Sequence, residues 1–304
     1  MTRHRLTRRT LLIVGSAGVM ALVFAGVLVA IANSNEEPTA TSAPRPAVSS
    51  GARRPGLLEV ERWQWVLGAS FDIDDHEHLG VGWTDAAGSS APPPTLYDVD
   101  GFTTDRATVA ALHDRGAIVV CYVETGAWES YRPDAAAYPA DVLGLPVAGY
   151  PDERYVDIRA DAVFERVRAR VQMCADKGFD AVEPDIDDSY TEETGFAITR
   201  QDNVAFNARV AELVHSLGLL IALKNGDEPE FAVAMEPLVD FAIVEQCFEF
   251  DSCESFEPFV RAGKLVLVAE YDLDPAQFCA AADRQGLVAA RMTEALTGQT
   301  TPCR

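Results

Sequence analysis

The stretch Gly178-Phe-Asp-Ala-Val-Glu-Pro-Asp-Ile-Asp-Asp188 carries four carboxylates, Glu183, Asp185, Asp187 and Asp188, within six residues. A glycine able to close a helix and a short, mostly apolar run precede them. A strand that ends this way carries its acids out of a core and into a site. The pattern recurs in Val119–Glu124, Leu220–Asn225, Phe241–Gln246 and Leu265–Tyr271, which are apolar runs that end in polar groups. The ends offer Tyr122 and Glu124, with Glu129, Arg132 and Asp134 just beyond. They also offer Lys224 and Asn225, Glu245 and Gln246, and Glu270 and Tyr271; Asp157 and Arg159 stand before a helix. Two carboxylates facing each other across a pocket are what glycoside hydrolysis needs, one to attack or activate water and one to protonate the leaving oxygen. Trp63, Trp65, Trp128, Tyr122 and Tyr271 are aromatics of the kind that stack on sugar rings or fill a core. A carboxylate ring also suits a divalent cation, which keeps open a metal-dependent phosphodiesterase on the same framework. A catalytically silent binding module for a cationic polysaccharide is the other alternative. No G-x-S-x-G elbow, Walker loop or H-E-x-x-H helix occurs. His76-Glu-His78 is weak as a metal motif on a loop, and no metal and no cofactor are expected.

The elements that must position these groups alternate from residue 61 on. Strands are expected at 63–67, 97–102, 117–124, 179–185, 219–225, 241–246, 264–271 and 287–292. Helices are expected at 104–115, 161–177, 202–217, 231–235 and 256–262, with a further one begun by Asp274-Pro275 and ended by Gly286. In five places, at Gly116, Gly178, Gly218, Gly263 and Gly286, a helix ends at glycine and a strand starts at once. The strands are near-continuous apolar runs, as parallel strands covered by helices should be. About 240 residues follow residue 60, close to the ~250 of an eightfold barrel. The expected fold is α/β, a (β/α)8 TIM barrel over 56–304, with a doubly wound open sheet as the runner-up.

Residues 1–32 read as a signal peptide or transmembrane anchor. Arg3, Arg5, Arg8 and Arg9 precede an uncharged run from Leu11 to Ala32, long enough to span a bilayer. Ala30-Ile-Ala32 matches a cleavage pattern and Thr7–Leu12 a twin-arginine export signal. Residues 33–55 form a Pro-, Ser-, Thr- and Ala-rich linker. The chain is therefore expected outside the cell or at its surface, held to a membrane if the segment stays uncleaved, and as a monomer. The net charge is −22, which repels nucleic acid and attracts polycations. Six cysteines and no CxxC fit an oxidising compartment, with Cys121–Cys174, Cys247–Cys253 and Cys279–Cys303 as the guessed pairs among many connectivities.

From Trp63 to Tyr271 the chain resembles glycoside hydrolase family 114, the endo-α-1,4-polygalactosaminidases. The matching motifs are Trp63-Gln-Trp65 with Leu67-Gly68, Cys121-Tyr122 with Gly126, Glu129, Arg132 and Asp134, and Val156-Asp-Ile-Arg159. They continue with Gly178–Asp185, Asp188 and Tyr190, then Lys224-Asn225, Glu245–Phe248 with Cys253, Gly263-Lys264 and Glu270-Tyr271. The resemblance implies an eightfold barrel and cleavage of α-1,4-linked galactosamine polymers with retention. It implies Asp185 as nucleophile and Glu245 as acid/base. Ile186 stands where the family usually has asparagine. Trp63, Tyr122, Glu129, Arg132, Asp157, Glu183, Asp188, Lys224, Asn225, Glu270 and Tyr271 are the expected substrate-binding residues, the carboxylates among them suited to ammonium groups on the polymer.

Overall fold

The computed structural model describes residues 56–304. Largely apolar runs buried on both faces form strands β1 (Trp63–Val66), β2 (Leu96–Asp100) and β3 (Ile118–Glu124). Strands β4 (Ala127–Glu129), β5 (Leu143–Val147) and β6 (Tyr150–Val156) follow. Next come β7 (Ala181–Asp185), β8 (Leu220–Lys224), β9 (Phe241–Glu245), β10 (Leu265–Glu270), β11 (Val288–Met292) and β12 (Thr300–Pro302). One sheet runs in the order β1-β2-β3-β7-β8-β9-β10-β11-β12, its first eight members parallel and β12 antiparallel to β11. The helices between the strands are α1 (Arg106–Asp114), α2 (Asp161–Lys177), α3 (Arg200–Ser216), α4 (Pro229–Met235), α5 (Glu257–Arg261) and α6 (Pro275–Gln285).

The result is an α/β fold with a near-closed, TIM-barrel-like core that departs from the expected eightfold repeat in three ways. The seam between β1 and β11 is spanned by the segment before β12. Thr297 bridges Val66, the amides of Leu67 and Gly68 reach Leu296 O at 3.1 and 3.2 Å, and Gln64 Nε2 donates to Gly298 O at 2.7 Å. No helix stands between β1 and β2. Phe71 and Leu79 from that loop pack on the outer face of the sheet instead, where Tyr97 donates its hydroxyl to Leu79 O at 3.0 Å. Finally, β4, β6 and β5 form a separate antiparallel sheet, in that order, between β3 and α2.

Strand parity sorts the side chains. Val119, Val182, Leu223, Val244 and Val266 face outward to the helices. Trp63, Trp65, Leu96, Val120, Ala181, Ala222, Ile243 and Leu267 face inward and pack on one another. Along the same inward rows, toward the carboxyl ends of the strands, the types change to Asp98, Tyr122, Glu183, Asp185, Lys224, Glu245 and Tyr271. A dry plug therefore closes one end of the barrel, and a polar layer rests on it, at the end where barrel enzymes keep their sites.

The helix ends follow the punctuation read in the sequence. Gly178 and Gly286 close α2 and α6 in the left-handed conformation, at φ 91° and 75°. Asp274 caps α6 and accepts from the Ala276 amide, with Pro275 in its first turn. The disulfides are Cys121–Cys174, Cys247–Cys253 and Cys279–Cys303, and they tie β3 to α2, close the loop after β9, and fasten the chain end to α6. One expectation is corrected to what the described residues show: none of their helices is long and apolar enough to cross a membrane, so they supply no transmembrane segment. The leader and linker readings fall on residues 1–55, which lie outside the described residues.

Cys121–Cys174 closes a loop of 53 residues inside the core, so its loss should cost about 4 kcal/mol by chain entropy. Denaturant unfolding of a Cys121→Ser, Cys174→Ser double variant checks this, and an unchanged midpoint would contradict it.

Candidate active site

Lys224 ends β8 with its side chain pointing into the barrel and is 5% exposed. Its ammonium meets three carboxylates: Asp185 Oδ1 at 2.9 Å, Glu245 Oε2 at 3.3 Å and Glu183 Oε1 at 3.5 Å. It also lies over the Trp65 ring, 5.0 Å from the centroid. Burial alone would lower the lysine pKa, but Asp185, Glu245 and Glu183 reverse this and hold it well above the usual lysine value. The centre of the carboxylate ring, where a metal ion would have to sit, is thus filled by an ammonium. Among the described residues no cluster of metal-ligating side chains forms.

Asp185 ends β7. Its Oδ2 accepts from the Tyr122 hydroxyl at 2.9 Å and its Oδ1 from the Ile186 amide at 3.0 Å as well as from Lys224. Burial first, then the Asp185 charge, pushes the Tyr122 hydroxyl well up, so it remains a donor. Glu245 ends β9 and is gripped by the next strand: Asn225 Nδ2 donates to its Oε2 and its own amide donates to Asn225 Oδ1, both at 2.9 Å. The Tyr271 hydroxyl bonds its Oε1. Asp185 Oδ1 and Glu245 Oε2 touch the same nitrogen, so they can be no farther apart than the sum of the two contacts, about 6.2 Å.

Ile186, Asn225 and Gln246 directly follow these three strand-end residues, and each sits in the left-handed region, at φ 53°, 54° and 56°. For non-glycine residues this costs about 1–3 kcal/mol apiece and persists only where the surroundings enforce it. Enforcement comes from the neighbouring strands, where the Asn225 amide bonds Ile243 O at 2.9 Å and the Gln246 amide bonds Ala269 O at 2.8 Å. Asparagine tolerates this conformation and β-branched isoleucine resists it. Ile186 is compensated by packing on Ala127, Val147 and Tyr155, and Gly126 leaves room for it, since a Cβ there would lie 2.1 Å from Ile186 O.

The cluster thus gathers Tyr122, Glu183, Asp185, Lys224, Asn225, Glu245 and Tyr271 of the expected residues. Several others lie elsewhere. Trp63 is buried one layer deeper, its ring tilted against Trp65 with centroids 5.4 Å apart, and it is Trp65 that reaches the cluster, donating Nε1–H to Glu183 Oε2 at 3.1 Å. Glu270 has outward parity on β10; it accepts from the Phe248 amide at 2.8 Å and holds the loop after β9. Glu129 and Arg132 belong to a buried ion network. Arg132 bridges Glu129 and Asp100 at 2.7 and 2.6 Å, and Arg170 of α2 binds Glu129 at 3.0 Å and Asp134 at 2.9 Å. Asp157 forms a two-pronged pair with Arg159. Asp188 leads the turn Ser189–Thr191, where its charge helps raise buried Asp187 after burial itself. His78 is also structural, its Nδ1 accepting from the Asp72 amide at 2.9 Å.

Four residues outside the expected catalytic and substrate-binding set enter its surroundings. Asp98 is fully buried beside Glu183. Glu124 accepts from the amides of Gly126 and Ala127 at 2.8 Å. Asp187 receives the Lys224 amide at 3.0 Å. Glu153 of β6 shares Tyr131 with Glu129, at 2.9 and 3.0 Å. Glu124 is already among the strand-end groups, and inward parity would have flagged Asp98. Nothing in the sequence announced the β4–β6 sheet that carries Glu153.

A half-buried carboxylate pair on one buried lysine, at the carboxyl ends of parallel strands, is an arrangement suited to acid–base hydrolysis on a barrel-like fold. A family model described as glycoside-hydrolase family GH114 matches residues 41–304. The chain belongs to that family of glycoside hydrolases, which act on polysaccharide. Among solved structures it is similar to Ega3 of Aspergillus fumigatus, determined in complex with galactosamine (24% identity, TM-score 0.71, covering 84% of this chain and 99% of that one). It is also similar to the glycoside hydrolase domain of PelA from Pseudomonas aeruginosa (14% identity, TM-score 0.58, 78% and 96% covered). At these identities the likenesses establish the fold. No curated protein matches the chain.

Two outcomes follow from the electrostatics. Lys224→Met leaves three carboxylates without their cation and should cost about 3–5 kcal/mol at neutral pH, less in acid as they protonate; a pH-independent or negligible loss in denaturant melts would contradict this. Glu183, Glu153 and Glu270 are each raised to about 7, by burial first. Groups with folded values raised this way lose their contribution as pH climbs from the ordinary 4.5 through about 7. Asp157 and Asp202, held low by hydrogen bonds from Arg159 and Thr199, lose theirs only in strong acid. The melting temperature should therefore peak near about pH 5 and decline by about pH 8, and a flat profile over that range would contradict the assignment.

Proposed function

We propose that the protein is an exported hydrolase of α-1,4-linked, galactosamine-containing polysaccharide that works with retention, Asp185 as nucleophile and Glu245 as acid/base. The observation that carries this reading is the shared ammonium. It bounds the nearest oxygens of the two carboxylates at about 6.2 Å, a spacing compatible with the ~5–5.5 Å of a retaining pair. Asp185 accepts from Lys224, Tyr122 and Ile186, three donors that fix the orientation of the nucleophile.

In the first step an Asp185 oxygen bonds to the anomeric carbon as the glycosidic C–O bond breaks, and Glu245 gives its proton to the departing oxygen. In the second, Glu245 takes a proton from water, the water oxygen bonds to the anomeric carbon, and Asp185 leaves. Inversion twice is retention. The acid proton belongs on Glu245 Oε1. Oε2 faces two donors, the Asn225 amide and Lys224, whereas the Tyr271 hydroxyl at Oε1 can accept as well as donate.

Galactosamine as the sugar rests on the family and on the ligand of the Aspergillus relative. The excess of carboxylates fits a cationic polymer, and three disulfides among the described residues fit export. The test is release of reducing ends from partly deacetylated α-1,4-galactosamine polymer. Wild type should release them, while Asp185→Asn and Glu245→Gln should each fall by about 10²–10⁴-fold. Binding by all three proteins without release would point to a silent module and overturn the proposal.

A further inference from the structure

Beneath the Lys224 cluster lies a second carboxyl pair that the two-step mechanism does not use. Asp98 of β2 and Glu183 of β7 both have inward parity and both are 0% exposed. They face each other closely enough to hydrogen-bond. Glu183 has a donor at one end, where Oε2 takes the Trp65 indole N–H at 3.1 Å, and an ion-pair contact at the other, where Oε1 makes no hydrogen bond but lies 3.5 Å from the Lys224 ammonium. Asp98 has no such donor. Among the described residues neither of its oxygens meets an N–H or O–H donor, and the strands flanking β2 offer Trp65 and Val120 at its level, neither of which titrates.

Two carboxylates have no proton to share, so a hydrogen bond between them requires that one be an acid. A fully buried, donor-less carboxylate is among the least tolerable groups in a core. We propose that Asp98 and Glu183 hold one proton between them, and that Asp98 is thereby a positioning residue. It leaves a single negative charge beneath Lys224, held at Glu183, and that charge fixes where the ammonium sits under Asp185 and Glu245.

The surroundings agree with this arrangement. The charged groups facing the pair are Lys224 on β8, Asp185 on β7 and Glu245 on β9. With every carboxyl ionised, four negative charges would share one ammonium inside the barrel. With the shared proton, the Lys224 ammonium faces Glu183, Asp185 and Glu245, as its contacts show. Burial, then the Glu183 charge, pushes Asp98 well above the usual carboxylate range, which places the proton on the member without other donors.

The catalytic consequence rests on the glycosidase reading above, whereas the shared proton does not, and the experiment separates them. Asp98→Asn supplies an amide N–H to Glu183 in place of the acid O–H; Asp98→Leu supplies none at similar volume. Infrared difference spectra at neutral pH should show a protonated-carboxyl band in wild type that is missing in Asp98→Asn. An unchanged band would overturn the proposal whatever the activity. In polymer hydrolysis, Asp98→Asn should keep kcat within about tenfold of wild type and Asp98→Leu should lose about 10²-fold with KM little changed. If Asp98→Asn falls as far as Asp98→Leu, or if neither falls, the positioning role is wrong. Should the leucine variant fail to fold, the asparagine variant and the infrared band still decide.

Discussion

One buried ammonium organises the functional end of this barrel. Lys224 is taken out of water at a cost that only close, well-aligned carboxylates can offset, and it finds three, on β7 and β9 to either side. The same contacts set the spacing of Asp185 and Glu245. The distance between acids at the ends of β7 and β9 follows in part from strand spacing. Here it is also clamped by a cation that both must touch, so structure and chemistry share one interaction. Asn225, the residue after Lys224, adds a second clamp by bonding Glu245 through both its amide oxygen and nitrogen.

Holding that geometry requires strain nearby. The chain turns through a left-handed residue after Asp185, after Lys224 and after Glu245, each stabilised from the adjacent strand or by side-chain packing. The β4–β6 sheet buttresses the β7 side: Gly126 O accepts from Val156, and the Thr125 and Gly126 amides bond Asp185 O. Behind it Arg170, 1% exposed, joins Glu129, Asp134 and the Glu124 carbonyl. That network explains why Glu129, Arg132 and Asp134 accompany the site residues in the family pattern without touching the cluster. They hold the loop that seats Ile186.

How much of this was legible in the sequence depended on the signal. Helix ends marked by glycine were, because Gly178 and Gly286 are required by the left-handed closing turn; α2 runs over Asp161–Lys177 as its apolar spacing indicates. The strand-end acids were legible because polar groups that terminate apolar runs have few places to go. Parity within the strand was the finer clue. It separates Tyr271, inward and on Glu245, from Glu270, outward and on a backbone amide, and it puts Asp98 in line with Leu96. The β4–β6 sheet was not legible: β4 holds only three residues, and β5 and β6 are half exposed and irregular in register, so they carry no clear period. The open seam at β1 was hidden too, because β12 holds only three residues.

The most direct test of the account is to look for the bond it requires. Glu245→Gln should still form a glycosyl-enzyme from an activated aryl α-galactosaminide, whose leaving group needs no acid, yet should hydrolyse it slowly for want of a base. Peptide mass spectrometry of the quenched mixture should then find one galactosaminyl group on the peptide bearing Asp185. A sugar on another residue, or rapid turnover to the inverted anomer with no adduct, would contradict the claim that Asp185, held by Lys224, is the nucleophile.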